Sequence, residues 1–282
     1  MEIKKIGWFG LGTFGYPIAE NLIDNGYEVH AYTFRGHGVK GVERLVKNNS
    51  AFIGKDNDIS DMDALVLSLP TTSDVEDVLS FYDSRLPKVV IDLTTGDPNK
   101  SKEISDSLRF MDILYFDAPV SGSIETARSG NLTVFAGISK ENVDQSINSL
   151  LNKIGTVFYF DKQGNGNIAK LINQLIHLSN IGIIGEALKV ASACELDQEE
   201  LVHCLKTSSA NSKMLERFGE SIIHNNFEPY FKLKLANKDI NLVDQLIRQK
   251  KVEYNYGEIT RNLLNQKNSE GFEEYNFTII CK

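Results

Sequence analysis

Gly10-Leu11-Gly12-Thr13-Phe14-Gly15 is the stretch from which the fold of this chain follows. It comes after an apolar run, 5–9, that is typical of a buried strand, and before an amphipathic segment, 16–25, that is typical of a helix. In that context it predicts a dinucleotide-binding turn. Gly10 permits a tight turn, Gly12 admits a diphosphate to the backbone, and Gly15 lets helix and strand pack closely. A glycine turn that binds nothing is the alternative.

The regions around this turn predict the class of fold. Up to about residue 163, strand-like apolar runs alternate with amphipathic segments, which favours a parallel sheet joined by helices. The strand-like runs are 5–9, 28–32, 64–69, 89–93, 115–118, 133–136 and 157–159. Beyond 163 the pattern is helical, at 168–194, 198–207, 212–223, 231–248 and 255–268.

These patterns predict an α/β protein with two domains. We expect a Rossmann-like domain with a parallel sheet over 1–163, and an all-α domain over 164–282. A long interdomain helix should connect them, with Asn167 as its N-cap.

Composition and charge exclude several classes of protein. The 282 residues carry a formal net charge of −8, which disfavours binding to nucleic acid or anionic lipid, although 30 lysines and arginines still allow a local anion pocket. The most apolar segment, 168–194, holds too many polar side chains for a membrane span. The three cysteines and five histidines show no metal-ligand spacing, and we see no export signal. We therefore expect a cytoplasmic protein that binds no nucleic acid, membrane or metal.

The residues after the second predicted strand indicate which dinucleotide is preferred. In a Rossmann-like domain an acid at this point binds the free 2′-hydroxyl of NAD, whereas a basic side chain accommodates the 2′-phosphate of NADP. The sequence is Tyr32-Thr33-Phe34-Arg35, which contains no acid, and both Thr33 and Arg35 suit a phosphate. We predict NADP as the favoured cofactor, with NAD possible. For Arg35, an ordinary solvated arginine is the alternative.

Five motifs in a fixed order identify a resemblance. They are Gly10 to Gly15, Asp92-Leu-Thr-Thr-Gly-Asp-Pro98, Asp117-Ala-Pro-Val-Ser-Gly-Ser123, Gly164-Asn-Gly-Asn-Ile-Ala-Lys170 and Lys238-Asp239. From Lys5 to about Leu242 the chain resembles the β-hydroxyacid dehydrogenases, such as 3-hydroxyisobutyrate dehydrogenase and tartronate semialdehyde reductase. Its motifs are most similar to those of glyoxylate/succinic semialdehyde reductases. The resemblance implies hydride transfer between a nicotinamide cofactor and a small carboxylic acid.

Lys170 is the candidate catalytic residue. The residues on either side of it are apolar, so the amine should be partly desolvated. Desolvation and a nearby cation, for which Lys238 is the candidate, disfavour the ammonium form and make proton exchange feasible near neutral pH. The resemblance implies that Lys170 is the general acid/base. A lysine at the helix edge that extends to water is the alternative.

Ser121, Gly122 and Ser123 are the candidate substrate-carboxylate site. They follow a predicted strand, where backbone amides and hydroxyls can face an anion. The resemblance implies that they hold the substrate carboxylate, with Ser123 at a position where the family often has glycine. A turn that caps the sheet edge is the alternative.

Three residues of the helical half are further candidates for the substrate. Gln174 follows Lys170 by one helical turn, so both side chains share a face. The family usually has Asn at this position, and we expect the longer amide of Gln174 to bind the substrate with support from Asn173. Lys238 is the third implied contact.

The resemblance also assigns residues to the cofactor. Besides Thr33 and Arg35 they are Gly10, Leu11, Gly12, Thr13, Phe14, Gly15, Leu69, Pro70, Thr95, Phe231, Lys238 and Asp239. Leu69 and Pro70 end a predicted strand, and Thr95 lies in the loop after the next one, near the nicotinamide. Phe231, Lys238 and Asp239 are predicted on one helix. The resemblance implies that these residues close over the nicotinamide and brace the catalytic lysine. For Phe231, core packing is the alternative.

The predicted activity is oxidation of a small 3-hydroxyacid or reduction of the corresponding semialdehyde or oxo acid. An imine reductase of the same fold is one alternative, although the lysine is generally replaced there. A sensor that binds the nucleotide without turnover is another. Gly182 and Gly185 on the long helix would let a second helix approach closely, so we expect a homodimer or homotetramer, with an intrachain partner as the alternative.

Overall fold

The computed structural model of the protein describes residues 2–48, 51–55 and 58–282. By its internal contacts the chain divides into two compact units, Met1–Lys170 and Leu171–Lys282, here called unit 1 and unit 2. The domain boundary between 163 and 164 stays a prediction.

Unit 1 is built on a parallel sheet. Its described strands are β1 (Lys5–Phe9), β2 (Glu28–Tyr32), β3 (Phe52–Ile53), β4 (Ala64–Leu67), β5 (Val89–Asp92) and β6 (Leu114–Asp117). They pair in the order β3-β2-β1-β4-β5-β6, all parallel. The strand order reverses at β1, and sheets of this kind bind ligands beyond the carboxyl ends of their strands at such a point. The predicted Rossmann-like sheet is confirmed.

Some strands differ from their predicted extent. β4 stops at Leu67, so Leu69 and Pro70 lie in the turn beyond the strand rather than at its end. The runs at 133–136 and 157–159 form strands, but in a separate small sheet. That sheet consists of β7 (Val120–Ser121), β8 (Leu132–Ala136) and β9 (Gly155–Tyr159), with β7 antiparallel and β9 parallel to β8.

Helices cover both faces of the main sheet. In unit 1 they are α1 (Gly15–Asp24), α2 (Val39–Asn48), α3 (Thr72–Tyr82), α4 (Pro98–Arg109), α5 (Ile124–Arg128) and α6 (Gln145–Ile154). Side chains alternate between the two faces of a strand. Trp8 of β1 therefore packs in the cluster that includes Ile18 of α1, and Phe9 in the cluster that includes Val75 of α3. Both faces of the sheet are therefore buried. The predicted ligand loops begin at its carboxyl edge.

Unit 2 is helical, as predicted. α7 (Asn165–Ala193) begins in unit 1 and continues into unit 2, where α8 (Gln198–Thr207), α9 (Lys213–Ile223), α10 (Leu233–Lys250) and α11 (Tyr256–Ser269) follow. Because α7 begins at Asn165, Asn167 lies inside its first turn, and the prediction that Asn167 is the N-cap is wrong. No helix in the described part of the chain has the length and apolar content needed to cross a bilayer.

The end of the chain explains why α10 begins later than predicted. The backbone amide of Phe277 donates to the carbonyl of Phe231 at 2.9 Å, and that of Leu233 donates to the carbonyl of Tyr275 at 2.8 Å. These bonds hold the chain outside the helix, so the prediction that Phe231 lies on the helix is wrong. The rings of Phe231 and Phe277 lie 5.5 Å apart. The apolar segment Phe277–Cys281 is a buried 3-10 helix that completes the core of unit 2.

Candidate active site

The glycine turn after β1 has the geometry that its sequence predicts. Gly10 has φ of +92°, and a Cβ there would lie 2.1 Å from the carbonyl oxygen of Ser68; a Cβ at Gly15 would lie 1.9 Å from the carbonyl oxygen of Gly10. Both positions therefore exclude a side chain. Among the described residues, apart from the chain neighbours of Gly12, no atom lies within 4 Å of a Cβ built on it, so a diphosphate has room to reach this backbone. The indole Nε1 of Trp8 donates to the carbonyl of Gly10 at 3.1 Å and ties the turn to β1.

A cavity of about 420 Å³ opens on this turn at Gly12 and Thr13. Lys40 and Arg44 of α2 and Arg128 of α5 line it, so three cations surround the space beside the turn. Such a charge pattern favours an anionic ligand. None of these three residues was predicted from the sequence.

The packing of α2 explains how the cations reach the turn. A Cβ on Gly41 would lie 2.7 Å from the carbonyl oxygen of Leu11, so only glycine lets α2 approach this closely. The guanidinium of Arg44 lies 4.1 Å from the ring centroid of Tyr16 in α1. The spacing of Lys40 and Arg44, one turn apart after the second strand, was a usable sequence signal, whereas no sequence spacing places α5 beside α1.

Thr33 and Arg35 follow the carboxyl end of β2, as predicted, and both are exposed. The guanidinium of Arg35 pairs with the carboxylate of Asp77 in α3 at 3.2 Å and lies 4.9 Å from the ring centroid of Phe34. The side chains of Arg35 and Asp77 are 64% and 51% exposed, so the pair contributes little stability. A phosphate could therefore replace Asp77 as the partner of Arg35.

The turns after β4 and β5 are connected by hydrogen bonds. The backbone amide of Leu69 donates to Oγ1 of Thr94 at 3.0 Å, and the amide of Thr94 donates to Oδ1 of Asp92 at 2.9 Å. Pro70 and Thr95 are the next residues in these two turns. The predicted cofactor-flanking residues thus lie in loops that leave the same edge of the sheet.

Ser121, Gly122 and Ser123 lie where β7 gives way to α5. Gly122 has φ of +153°, and a Cβ there would lie 2.5 Å from Oγ1 of Thr126, so glycine is required. Oγ of Ser123 accepts from the amide of Thr126 at 3.1 Å and caps α5. Ser123 thus serves as a helix N-cap, while its hydroxyl hydrogen can still be donated to a ligand.

Lys170 lies three residues after Asn167 in α7. It is 7% exposed, and this burial disfavours the alternative of a side chain that extends into water. Asn167 is fully buried. Its Oδ1 accepts from the amide of Gly96 at 2.8 Å, and its Nδ2 donates to Oγ of Ser101 at 3.0 Å. The start of α7 is therefore attached to the loop that carries Thr95.

Asp117, the last residue of β6, is a second attachment of α7. Its Oδ1 accepts from the amide of Gly164 and its Oδ2 from the amide of Asn167, both at 2.6 Å. Burial raises the pKa of this carboxyl to about 7, although the two backbone amides act to lower it.

The candidates of unit 2 form a connected polar network. Nε2 of Gln174 donates to Oδ2 of Asp239 at 2.7 Å, and Oε1 of Gln174 accepts from Nδ2 of Asn173 at 3.0 Å. Nζ of Lys238 lies 3.0 Å from Oδ1 of Asp239. One amide hydrogen of Gln174 is thus engaged with Asp239, and the other can be donated to a ligand. Phe231 is partly buried and packs against the aromatic core residue Phe277.

The predicted residues therefore fall into two groups. The glycine turn, the turns after β4 and β5, Ser121 to Ser123 and Lys170 belong to unit 1, whereas Asn173, Gln174, Phe231, Lys238 and Asp239 belong to unit 2. Within the part of the chain that the structure describes, no cluster of three His, Cys, Asp or Glu side chains is placed to hold a metal ion.

Two family models match the chain end to end. Residues 5–164 match the NAD binding domain of 6-phosphogluconate dehydrogenase, and residues 164–282 match the NAD-binding domain of NADP-dependent 3-hydroxyisobutyrate dehydrogenase. The 2-hydroxy-3-oxopropionate reductase of Escherichia coli (strain K12) is 30% identical over 86% of this chain and 83% of its own length. The mitochondrial 3-hydroxyisobutyrate dehydrogenase of Mus musculus is 28% identical over 98% of this chain and 85% of its own length.

Solved structures share the fold. A 3-hydroxyisobutyrate dehydrogenase from Salmonella typhimurium superposes with a TM-score of 0.88 at 20% identity, over 99% of both chains. A Streptomyces aurantiacus imine reductase superposes with a TM-score of 0.67 at 16% identity, over 98% of both chains. At these identities the likeness shows the architecture alone.

Proposed function

This chain belongs to the β-hydroxyacid dehydrogenase family, and on that premise we propose that it transfers a hydride between a nicotinamide cofactor and a small 3-hydroxyacid or the corresponding semialdehyde or oxo acid. The observation that carries the proposal lies within unit 1. There, a glycine turn is open at Gly12 beside three cations, and the buried Lys170 lies on the helix attached to the same sheet edge. The first feature fits a dinucleotide diphosphate, and the second supplies an amine for proton transfer.

Each group of residues has a role in this proposal. The cofactor supplies or accepts the hydride at its nicotinamide ring. The glycine turn holds the diphosphate, while Leu69, Pro70 and Thr95 flank the nicotinamide. Lys170 donates a proton to the substrate oxygen during reduction and accepts it during oxidation, so that no full negative charge remains on that oxygen.

The substrate is a small carboxylate in this proposal. Backbone amides and hydroxyls of Ser121, Gly122 and Ser123 bind its carboxylate, and the free amide hydrogen of Gln174 is available to the hydroxyl or carbonyl. Asn173 holds the other end of Gln174, and Lys238 contributes a cation from α10. Asp239 contacts both Gln174 and Lys238. Phe231 is proposed to contact the cofactor.

We favour NADP over NAD as the cofactor. Three features support this: no acid follows β2, Arg35 is exposed at that point, and Lys40 and Arg44 come from the adjoining helix. The pairing of Arg35 with Asp77 opposes it, since a 2′-phosphate must displace that carboxylate.

An imine reductase is the second candidate, since imine reductases share this fold. Lys170 argues against it, since the family resemblance implies that the lysine is generally replaced in imine reductases of this fold. A sensor that binds the nucleotide without turnover is a third. It requires that the buried amine of Lys170 have no chemical role.

We also propose that the protein is a homodimer or homotetramer. Ile172, Ile176, Ile183 and Val190 lie on one face of α7, and each is more than half exposed. A Cβ on Gly182 would meet nothing within 4 Å, whereas one on Gly185 would lie 2.7 Å from Sγ of Cys281, so an intrachain partner covers Gly185. Light scattering tests this: Ile176→Lys should lower the mass and Val252→Lys, on another exposed surface, should not.

A reducing compartment, the cytoplasm, is the proposed location. Cys194, Cys204 and Cys281 are all free of disulfides.

A panel of substrates tests the proposed function. The wild-type protein is assayed for oxidation of 3-hydroxyacids and for reduction of glyoxylate and succinic semialdehyde, with NAD(H) and NADP(H) in parallel, and with a cyclic imine as the competing substrate. We expect turnover of at least one hydroxyacid pair and none of the imine, with NADP(H) preferred. Turnover of the imine alone would support the reductive alternative, and cofactor binding without turnover would support the sensor.

A further inference from the structure

The buried carboxylate of Asp117 lies against the start of α7 although 47 residues separate it from Gly164. It is 0% exposed, and both of its oxygens accept from backbone amides of the first turn, those of Gly164 and Asn167. A helix leaves its first amides without intrahelical partners, and a side chain at the N-cap usually accepts from them. The N-cap position of α7 is Gly164, because its carbonyl accepts the first helical hydrogen bond from the amide of Ile168 at 2.9 Å. Glycine has no side chain with which to cap the helix.

Three glycines near Asp117 and the start of α7 have no space for a side chain. A Cβ on Gly137 would lie 2.2 Å from Oδ1 of Asp117, and a Cβ on Gly166 would lie 2.3 Å from the carbonyl oxygen of Phe135. A Cβ on Gly164 would lie 2.4 Å from the carbonyl oxygen of Pro98. Three glycines thus let the start of α7 pack closely against Phe135, Pro98 and the carboxylate of Asp117.

We propose that Asp117 is a positioning residue, which caps α7 from the end of β6 and thereby fixes where the amine of Lys170 is presented. The proposal rests on the proposed role of Lys170 as the acid/base. Lys170 lies three residues after Asn167, less than one helical turn beyond the second capped amide. A shift of the first turn is therefore carried directly to the amine.

The chemistry of the cap distinguishes a carboxylate from an amide. A carboxylate has two acceptor oxygens and no donor, so it serves both backbone amides. Asn at this position has one acceptor, and its NH₂ group would face a second N–H donor. Charge also matters, because a negative group is favoured at the positive end of a helix.

The test compares Asp117→Asn with Asp92→Asn. Asp92 is the matched control, since it is the buried acid at the end of the neighbouring strand, and its two oxygens accept from the amide of Thr94 at 2.9 Å and from the hydroxyl of Tyr115 at 2.8 Å. Hydrogen exchange of the peptide that contains Gly164 to Lys170 is measured in both variants. We expect exchange at Gly164 and Asn167 to accelerate by about tenfold or more in Asp117→Asn only. Unchanged exchange would overturn the capping.

Kinetics then test whether Asp117 acts through Lys170. We expect Asp117→Asn to lower kcat by about tenfold or more while the dissociation constant of NADP changes by less than about twofold. In a Lys170→Ala background the same substitution should have no further effect, because residues that act through one another are not additive. An equal loss in both backgrounds would show a merely structural role and refute the proposal.

Gly137→Ala is the second variant, for the case in which Asp117→Asn does not fold. It displaces the carboxylate without removing it, so it should reproduce the faster exchange at Gly164 and Asn167 and the loss of kcat. Normal exchange and normal kcat in this variant would count against the proposal. A wild-type protein that is inactive on the whole panel would refute the proposed function instead, while the exchange result would still decide the capping.

Discussion

Two helices, α1 and α7, begin in unit 1 at glycine-rich segments, and their first backbone amides have different surroundings. At α1 the N-cap residue is Phe14, whose side chain cannot accept a hydrogen bond, and the turn is open at Gly12. At α7 the amides of Gly164 and Asn167 are both bonded to the carboxylate of Asp117. One helix start is thus available to an external anion, whereas the other already holds an internal one.

The difference teaches that a glycine-rich helix start is not by itself a ligand site. Glycine permits close approach in both cases. The start of α7 packs against other parts of the protein, whereas the turn before α1 faces open space beside three cations. On this basis we assign cofactor binding to α1, and to α7 the presentation of Lys170. The predictions below exchange or remove these features, from the largest expected effect to the smallest.

Removal of the amine that α7 presents should have the largest effect. Lys170→Ala should lower kcat by about 10³-fold, since general acid–base catalysis contributes about 10² to 10⁴. NADP affinity should be nearly unchanged, because the glycine turn remains. Steady-state kinetics and cofactor titration measure the two quantities. Undiminished turnover would contradict the role of Lys170.

Giving α1 a carboxylate would make it resemble α7. Gly12→Asp places an acid where the diphosphate should bind, so cofactor affinity should fall by about 100-fold or more. Gly12→Ala is the control, since it adds bulk without charge, and the open space predicts that both variants fold. Titration of the cofactor by fluorescence measures the loss. Equal affinity in wild type and Gly12→Asp would place the cofactor elsewhere.

The buried carboxyl that caps α7 should be visible in the pH dependence of stability. Burial raises the pKa of Asp117 from its ordinary 3.8 to about 7, so between these values the folded state holds a proton that the unfolded state has released. Stability from this group is therefore lost as pH rises towards 7, by about 2 kcal/mol between pH 5.5 and pH 7. Denaturant unfolding of wild type and Asp117→Asn at both pH values measures the difference. Parallel curves for the two proteins would contradict the raised pKa.

Cofactor preference should change least. Arg35→Ala should weaken NADP by about tenfold and leave NAD unchanged, because only NADP offers a 2′-phosphate to the guanidinium. Arg109→Ala is the control, since Arg109 is also exposed and also paired with an aspartate, Asp106. Isothermal titration with both cofactors measures the change. A similar loss for NAD and NADP would show that Arg35 does not read the phosphate.

The glycine turn could be predicted from sequence because its determinants are local. Gly10, Gly12 and Gly15 lie within six residues, and the strand and helix around them follow from apolar periodicity. Most strand and helix limits were accurate to within a few residues for the same reason. The family resemblance added the placement of Lys170 and Lys238 on two helices, and the structure agrees with that placement, whereas Ser121 ends the short strand β7.

The features that were not predicted depend on distant parts of the chain. The position of Phe231 outside α10 is set by hydrogen bonds to the C-terminal tail, more than forty residues later. Arg128 reaches the cavity only because α5 packs beside α1. Asp117 stands in a motif that was interpreted as a substrate loop, and its burial against Gly164 depends on the sheet and the helix being already folded.

The transfer of deuterium from the cofactor is the most direct test of hydride transfer. NADPH deuterated at one face of nicotinamide C4, and separately at the other, is incubated with wild-type protein and the best carbonyl substrate of the panel. Mass spectrometry of the hydroxyacid should show one deuterium per molecule from one face and none from the other, because the protein holds ring and substrate in one orientation. A hydroxyacid formed without deuterium from either face would contradict the proposed reaction.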